Sequence, residues 1–195
     1  MGLFRKTINF DNVTTRGGDK GQTSLFSGQR VLKSAGSVEV IGQVDELQSL
    51  IGVVSCFLPN SAFQKSLGLY DIQKDLYDIM SCLASGTDHE YYFSFPSERR
   101  VEILEQKMHF LMKSTDIPQK FVIPGEKGIK VSALLDFART VCRRAESRMV
   151  KYIREDSKPF KVDYDDLHGV QVYLNRLSDV LFVMARYVDE INEIN

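Results

Sequence analysis

From about residue 36 onward, apolar residues recur every three or four positions, which is the period of an amphipathic α-helix. Proline and glycine divide this pattern into five stripes. The first contains Leu47, Leu50, Ile51, Val54, Phe57 and Leu58 and ends at Pro59. The second contains Leu69, Ile72, Leu76, Ile79 and Leu83 and ends near Gly86; the third, opened by Pro96 and Ser97, contains Val101, Leu104, Met108 and Leu111. The fourth contains Val131, Leu134, Leu135, Ala138, Cys142, Ala145 and Met149; the fifth contains Leu167, Val170, Leu174, Leu177, Leu181, Met184 and Val188.

Five long helices with short connections predict an all-α fold, a five-helix up-and-down bundle over residues 36–195. A coiled-coil seam would show similar stripes, but the proline and glycine breaks favour a compact bundle. Residues 1–35 lack the helical period and are rich in Gly, Thr, Ser and cations. They predict an irregular N-terminal arm that becomes ordered on binding. The 195 residues contain no internal repeat and form one domain.

The charge balance narrows the classes of partner. The net charge is -1 with a pI near 6.3, which argues against a protein that binds nucleic acid or membrane mainly by electrostatic attraction. No apolar run approaches the roughly 20 residues that span a bilayer, and the N-terminus lacks the apolar segment of a signal peptide. These features predict a cytoplasmic protein.

The cysteines and histidines predict no metal site. The three cysteines lie far apart without CxxC spacing, each within an apolar helical pattern: Cys56, Cys82 and Cys142. This spacing predicts reduced thiols in the core. The histidines are equally scattered: His89, His109 and His168.

Polar residues follow the apolar stripes of the last two predicted helices. In the fourth, Arg139, Arg143 and Glu146 share one face, which by itself fits a solvated surface with an Arg–Glu pair inside the helix. In the fifth, the common face carries Asn175, Asp179, Phe182 and Arg186. Two such stripes indicate a shared cleft, although a subunit interface would have the same pattern.

The segment TTRGGDKGQT, residues 14–23, has the composition of a phosphate-binding loop. Glycine allows backbone N–H groups close to a phosphate; Thr15, Thr23 and Ser24 add hydroxyls, and Arg16, Lys20 and Lys33 add positive charge. It is not a Walker A loop, because Lys20 precedes Gly21 and no apolar strand comes before it. A polyphosphate-binding loop and a plain mobile turn both remain open on these residues.

Five motifs in order carry a resemblance to a known family: TRGGDKGQTS, GQVDELQSLIG, FVIPG, ARTVCRRAE and YLNRLSDVLFVMARY. Together they resemble the PduO-type ATP:cob(I)alamin adenosyltransferases over roughly residues 14–187. The resemblance implies a five-helix, ferritin-like bundle, assembled as a homotrimer with active sites at subunit interfaces. It also implies the activity: the 5′-deoxyadenosyl group of ATP passes to the cobalt of cob(I)alamin, and triphosphate leaves.

Site residues follow from the resemblance. ATP contacts are implied for Thr15, Arg16, Gly17, Gly18, Thr23, Ser24 and Lys33 of one chain, and for Arg143, Arg144, Glu146, Ser147 and Asn175 of its neighbour. Asp45 and Arg139 match an ion pair between subunits that shapes the site. Phe121 matches an aromatic residue beneath the corrin ring, whereas its sequence alone favours a packing residue before a turn. Mg²⁺ is expected with ATP, and a reductase and an adenosylcobalamin-dependent enzyme are expected as partners.

The expected chemistry needs no catalytic acid or base. Cob(I)alamin is a strong nucleophile, so the protein positions the reactants and neutralises the leaving triphosphate. Three differences from the family pattern stand out: PGEKGIK replaces a shorter PGG turn, Gly17 replaces Thr or Asn, and Gln48 replaces Asn. The alternatives are a non-catalytic protein that binds ATP or adenosylcobalamin on the same scaffold, and a purely structural bundle.

Overall fold

The computed structural model describes residues 10–58, 63, 66–85, 92–156 and 163–193 of the chain. In chain order these form α1 (Phe10–Val13), β1 (Gln22–Ser24), β2 (Arg30–Leu32), α2 (Gly36–Cys56), α3 (Leu69–Ser85), α4 (Ser97–Met112), α5 (Lys130–Lys151) and α6 (Tyr164–Glu193). A π-helical turn at Tyr152–Asp156 continues α5. The five predicted long helices are α2 to α6, so the all-α prediction is confirmed.

The long helices pack through their apolar stripes. Helix α6 packs against α4 and α5, while α2 packs against α5 and α3. Every residue of the second and fifth stripes is buried. Removing these side chains from water supplies the main stabilisation of the bundle, about 1.5–3 kcal/mol for each large apolar side chain. The arrangement places the polar faces of α5 and α6 beside each other.

The cysteine prediction is confirmed for two of the three thiols. Cys82 and Cys142 are fully buried, but Cys56 is exposed. Cys56 is the last residue of α2, and it lies off the face that carries the buried Val54. The predicted helix breaks at Pro59 and Gly86, together with His89, lie outside the described residues.

The N-terminal segment contains more regular structure than the sequence predicts. Strands β1 and β2 form an antiparallel hairpin in which Thr23 pairs with Val31 and Ser24 pairs with Arg30. The expectation of a wholly irregular arm was therefore wrong for these residues. Three-residue strands are too short to show an alternating pattern, and both are mostly exposed. The hairpin and α1 precede the bundle without adding a core helix.

Candidate active site

The glycine-rich loop, residues 14–21, lies between α1 and β1 and is exposed along residues 14–17. Arg16 has a positive φ of 55°, a left-handed conformation that non-glycine residues seldom adopt. A tight turn follows, in which Gly21 N–H donates to Gly18 O at 3.1 Å. Lys33 N–H donates to Gly21 O at 2.9 Å, so the loop is tied to the residue that follows β2.

Two cations from the hairpin side lie against this loop. A methyl group at Gly18 would be 2.9 Å from Lys33 Nζ, so the ammonium group occupies the space beside that glycine. Arg30 Nη2 donates to Gly17 O at 2.7 Å, and Arg30 Nη1 donates to Ser24 Oγ at 3.3 Å. The structure thus brings together Lys33, Ser24 and the two glycines that the sequence predicted as phosphate contacts. Arg30 was missed, because its role depends on the hairpin register.

The predicted polar faces of α5 and α6 meet. Asn175 Nδ2 donates to Glu146 Oε1 at 2.9 Å across the two helices. Arg143 is exposed, and within the described part of the chain it forms no ion pair or hydrogen bond. Arg144 instead forms an ion pair with Glu46 of α2. Glu146 therefore bridges helices, so the simpler reading of an Arg–Glu pair inside α5 is wrong.

A buried ionic cluster lies further along the same two helices. Arg186 is 5% exposed, and its Nη2 donates to Asp136 Oδ2 at 2.6 Å while its Nε lies 3.0 Å from Asp189 Oδ2. Asp136 also pairs with Arg139 at 3.4 Å. The sequence placed Arg186 on the polar face of a cleft, but the structure buries it as the cation between two carboxylates. Such a pair satisfies charges that would be costly to bury alone.

Phe121 lies in the segment between α4 and α5 and is 89% exposed. The interpretation of Phe121 as a packing residue is therefore wrong. The longer turn is accommodated by two reversals, in which Glu126 N–H donates to Ile123 O and Gly128 N–H donates to Gly125 O. Both glycines have positive φ. Residues of this segment and the end of α6 also line a cavity of about 410 Å³.

The remaining predicted residues are accessible. Thr15 and Ser147 are exposed, and Thr23 on β1 is half-buried. Asp45 is exposed on α2, and no described residue of its own chain forms an ion pair with it. Arg139, its predicted partner, is held by Asp136 in the same chain and remains partly exposed. A pair between Asp45 and Arg139 of another copy stays a prediction.

The described residues contain no extensive packing that joins the two groups of predicted site residues within one chain. Among the described elements, the hairpin packs extensively only within itself, whereas α5 packs on α2 and α6. Between residues 10–58 and the described parts of α5 and α6, no hydrogen bond or ion pair connects the glycine-rich loop to Arg143 or Asn175. Within the described residues, the glycine-rich loop and the polar face of α5 and α6 are therefore two separate groups of predicted site residues.

The thiol of Cys142, which is buried on α5, is not available as a nucleophile. Burial raises the pKa of Cys142, and Glu146 adds to this shift, so the thiol stays protonated.

Across the described residues, no group of three or more His, Cys, Asp or Glu side chains is arranged to hold a metal. No described helix combines the length and apolar character needed to cross a membrane.

Comparison with known proteins identifies the class to which this helical bundle and its site belong. The sequence profile described as cobalamin adenosyltransferase matches residues 13–188. The human corrinoid adenosyltransferase MMAB is 33% identical over 186 residues, covering 93% of this chain and 70% of the relative. The corrinoid adenosyltransferase of Bacillus subtilis is 36% identical over 178 residues, covering 90% of this chain and 85% of the relative.

Solved structures that are similar to this chain belong to the same class of adenosyltransferase. A variant of the PduO-type ATP:corrinoid adenosyltransferase from Lactobacillus reuteri, complexed with cobalamin and ATP, superposes with a TM-score of 0.81. It is 33% identical in sequence, and the match covers 93% of this chain and 95% of that one. A second variant, complexed with ATP, has a TM-score of 0.79. The chain belongs to the cobalamin adenosyltransferase family.

Proposed function

We propose that the protein transfers the 5′-deoxyadenosyl group of ATP to the cobalt of cob(I)alamin, giving adenosylcobalamin and triphosphate. The observation that carries this proposal is that Arg143 is exposed about one turn of α5 before Glu146, which accepts a hydrogen bond from Asn175. An exposed cation with no ion-pair partner among the described residues, on the same helix as a carboxylate that accepts from an amide, suits the recognition of a nucleotide and its phosphates. Family membership and the ATP and cobalamin complexes of the similar structures support it.

The reaction is a displacement at the C5′ carbon of ATP. The Co(I) centre supplies an electron pair that forms the Co–C bond, the C5′–O bond breaks, and triphosphate leaves with that bond's electrons. Because the nucleophile needs no deprotonation, the protein contributes position and charge. Lys33 and Arg143 would neutralise the phosphates. Mg²⁺ would be held mainly by phosphate oxygens and water, which demands few protein ligands.

Phe121 would lie against the lower face of the corrin ring. Its exposed ring is available for such a contact, and an apolar surface there would exclude water and a lower axial ligand from cobalt. Removing the lower ligand makes reduction of Co(II) to Co(I) easier. A reductase and an enzyme that uses adenosylcobalamin are the partners this sequence of steps requires.

We also propose that each active site is shared by two subunits of a homotrimer. The separation of the glycine-rich loop from the α5–α6 face within one chain supports this arrangement. Asp45 of one subunit would then pair with Arg139 of the next. The free thiols favour a reducing compartment, so the cytoplasm is the proposed location.

Substitution of Arg143 and of Asn175 tests the site. Arg143→Ala and Asn175→Ala should each lower kcat with cob(I)alamin and ATP by about 10²-fold, because charge stabilisation or nucleotide orientation is lost. Thermal unfolding should change little, since both side chains are exposed. Arg99→Ala is the control, because it removes an exposed cation from α4. Unchanged turnover in both site variants would refute the assignment.

A further inference from the structure

Arg30 contacts the backbone of the glycine-rich loop, and neither the sequence motifs nor the charge pattern assigns it a role. It lies at the first position of β2, opposite Ser24 in the hairpin. Its guanidinium spans from the Ser24 hydroxyl to the Gly17 carbonyl, at 3.3 and 2.7 Å. One side chain therefore links the hairpin to a loop residue thirteen positions earlier in the chain.

The Gly17 carbonyl that Arg30 holds belongs to the same peptide unit as the Gly18 N–H. In a planar trans peptide these two groups point in opposite directions. Holding the carbonyl against Arg30 therefore directs the Gly18 N–H away from it. Among the described residues, no backbone carbonyl accepts a hydrogen bond from this N–H. It is a donor left available for an incoming ligand.

The available N–H lies beside a second cation. The Lys33 ammonium is close enough to Gly18 that a methyl group there would lie 2.9 Å from Nζ. A backbone donor and an ammonium group at one glycine are the components of an anion-binding site. A side chain at this position would shift the lysine from where it lies against Gly18.

We infer that Arg30 is a positioning residue for ATP: it holds the Gly17–Gly18 peptide so that the Gly18 N–H and Lys33 are presented together to a phosphate oxygen. This rests on the proposed function, because the ligand is the triphosphate of ATP. Arg30 itself acts through the loop, since its donors are directed to Gly17 and Ser24. Lysine could not replace it fully, because only the planar guanidinium can donate to both acceptors in fixed geometry.

The test compares Arg30→Ala, Arg30→Lys and the charge-matched control Arg99→Ala in steady-state kinetics. Arg30→Ala should raise KM for ATP about tenfold, the loss expected for hydrogen bonds from a charged donor, while kcat and KM for cob(I)alamin stay within about twofold. Arg30→Lys should raise KM for ATP about threefold, because one acceptor is still reached. Arg99→Ala should match the wild type.

Amide hydrogen exchange without ligand supplies a second readout that does not depend on catalysis. Arg30→Ala should increase exchange within residues 15–21 and leave α2 to α6 unchanged. An unaltered KM for ATP would overturn the inference, as would equal effects of Arg30→Ala and Arg99→Ala, or wild-type behaviour of Arg30→Lys. If calorimetry shows ATP binding that weakens in Arg30→Ala but the wild type transfers no adenosyl group, the proposed function fails and the role of Arg30 stands.

Discussion

Phe121 leaves 89% of its side chain in water, although burying a phenylalanine is worth about 1.5–3 kcal/mol. The two turns that follow, with glycines in the left-handed region, hold the chain without burying this ring. An exposed aromatic residue that contributes nothing to the core suits contact with a large flat substrate. The sequence alone favoured a packing role, because a side chain's exposure in a loop has no periodic signal.

Phe121→Ala should impair adenosylation from Co(II) more than from chemically pre-reduced Co(I). The physical reason is that the ring's proposed task, excluding a lower ligand from cobalt, matters most for the reduction step. Rates measured from each starting oxidation state give the comparison, and a tenfold or greater difference between the two losses is expected if the dry face supplies about 1.4 kcal/mol. Phe110→Ala, which removes an exposed ring from α4, is the control.

Equal losses of activity from Co(II) and from Co(I) in the Phe121 variant would contradict this role.

At the residue scale, the sequence predicted which loop residues lie close together better than it predicted the hydrogen-bond or ion-pair partner of each side chain. Gly17, Gly18 and Lys33 meet as expected, whereas Glu146 bonds Asn175 and Arg186 is buried with Asp136. These partners depend on how separate elements pack, and sequence spacing does not report that.

The helices are the elements that the sequence predicted best. The fifth apolar stripe became α6, with every stripe residue buried, because a period of 3.6 residues places those side chains on one face. The hairpin was not predicted, although its register positions Arg30. Short exposed strands lack both a period and a buried face, so the local pattern carries no signal.

Close contact between α4 and α6 leads to a prediction about Gly169. Alanine at an ordinary helix interior position is better than glycine by about 1 kcal/mol. At Gly169, however, the added methyl group would lie 2.6 Å from Ser97 Cβ, so Gly169→Ala should destabilise the protein by about 1–3 kcal/mol. Denaturant unfolding measures the change.

Two further variants identify the cause. Ser97→Gly combined with Gly169→Ala should recover part of the loss, because the contacting atoms are gone, giving non-additive free energies. Gly42→Ala in α2 meets no atom within 4 Å and should be neutral or stabilising. Additive effects of the Ser97 and Gly169 changes would show that the close approach is not responsible.

At the scale of the whole molecule, no extensive packing between described elements joins the two groups of predicted site residues within one chain. The glycine-rich loop belongs to the hairpin, while Arg143 and Asn175 lie on α5 and α6. The bundle itself could be predicted from helix number and connection length. Its assembly could not be derived from the helices, because an interface face and a solvated polar face carry similar residues.

Mixed oligomers test the shared site. Lys33→Ala damages the loop half and Arg143→Ala damages the helix half, so each variant alone should have little activity. When the two are unfolded together and refolded as an equal mixture, about a quarter of the interfaces should combine an intact loop with an intact helix face, as expected for a head-to-tail interface. Activity should recover to about that fraction of the wild type. No recovery, with mixed oligomers verified by mass, would place both halves in one subunit.

The central claim is adenosyl transfer, and the most direct measurement is the anaerobic reaction of the purified protein with chemically reduced cob(I)alamin, ATP and Mg²⁺. The absorbance of Co(I) is followed while adenosylcobalamin and triphosphate are quantified. We expect loss of the Co(I) band, with one adenosylcobalamin and one triphosphate formed for each ATP consumed. Binding of ATP without any conversion would contradict the account and favour a non-catalytic nucleotide-binding protein on the same scaffold.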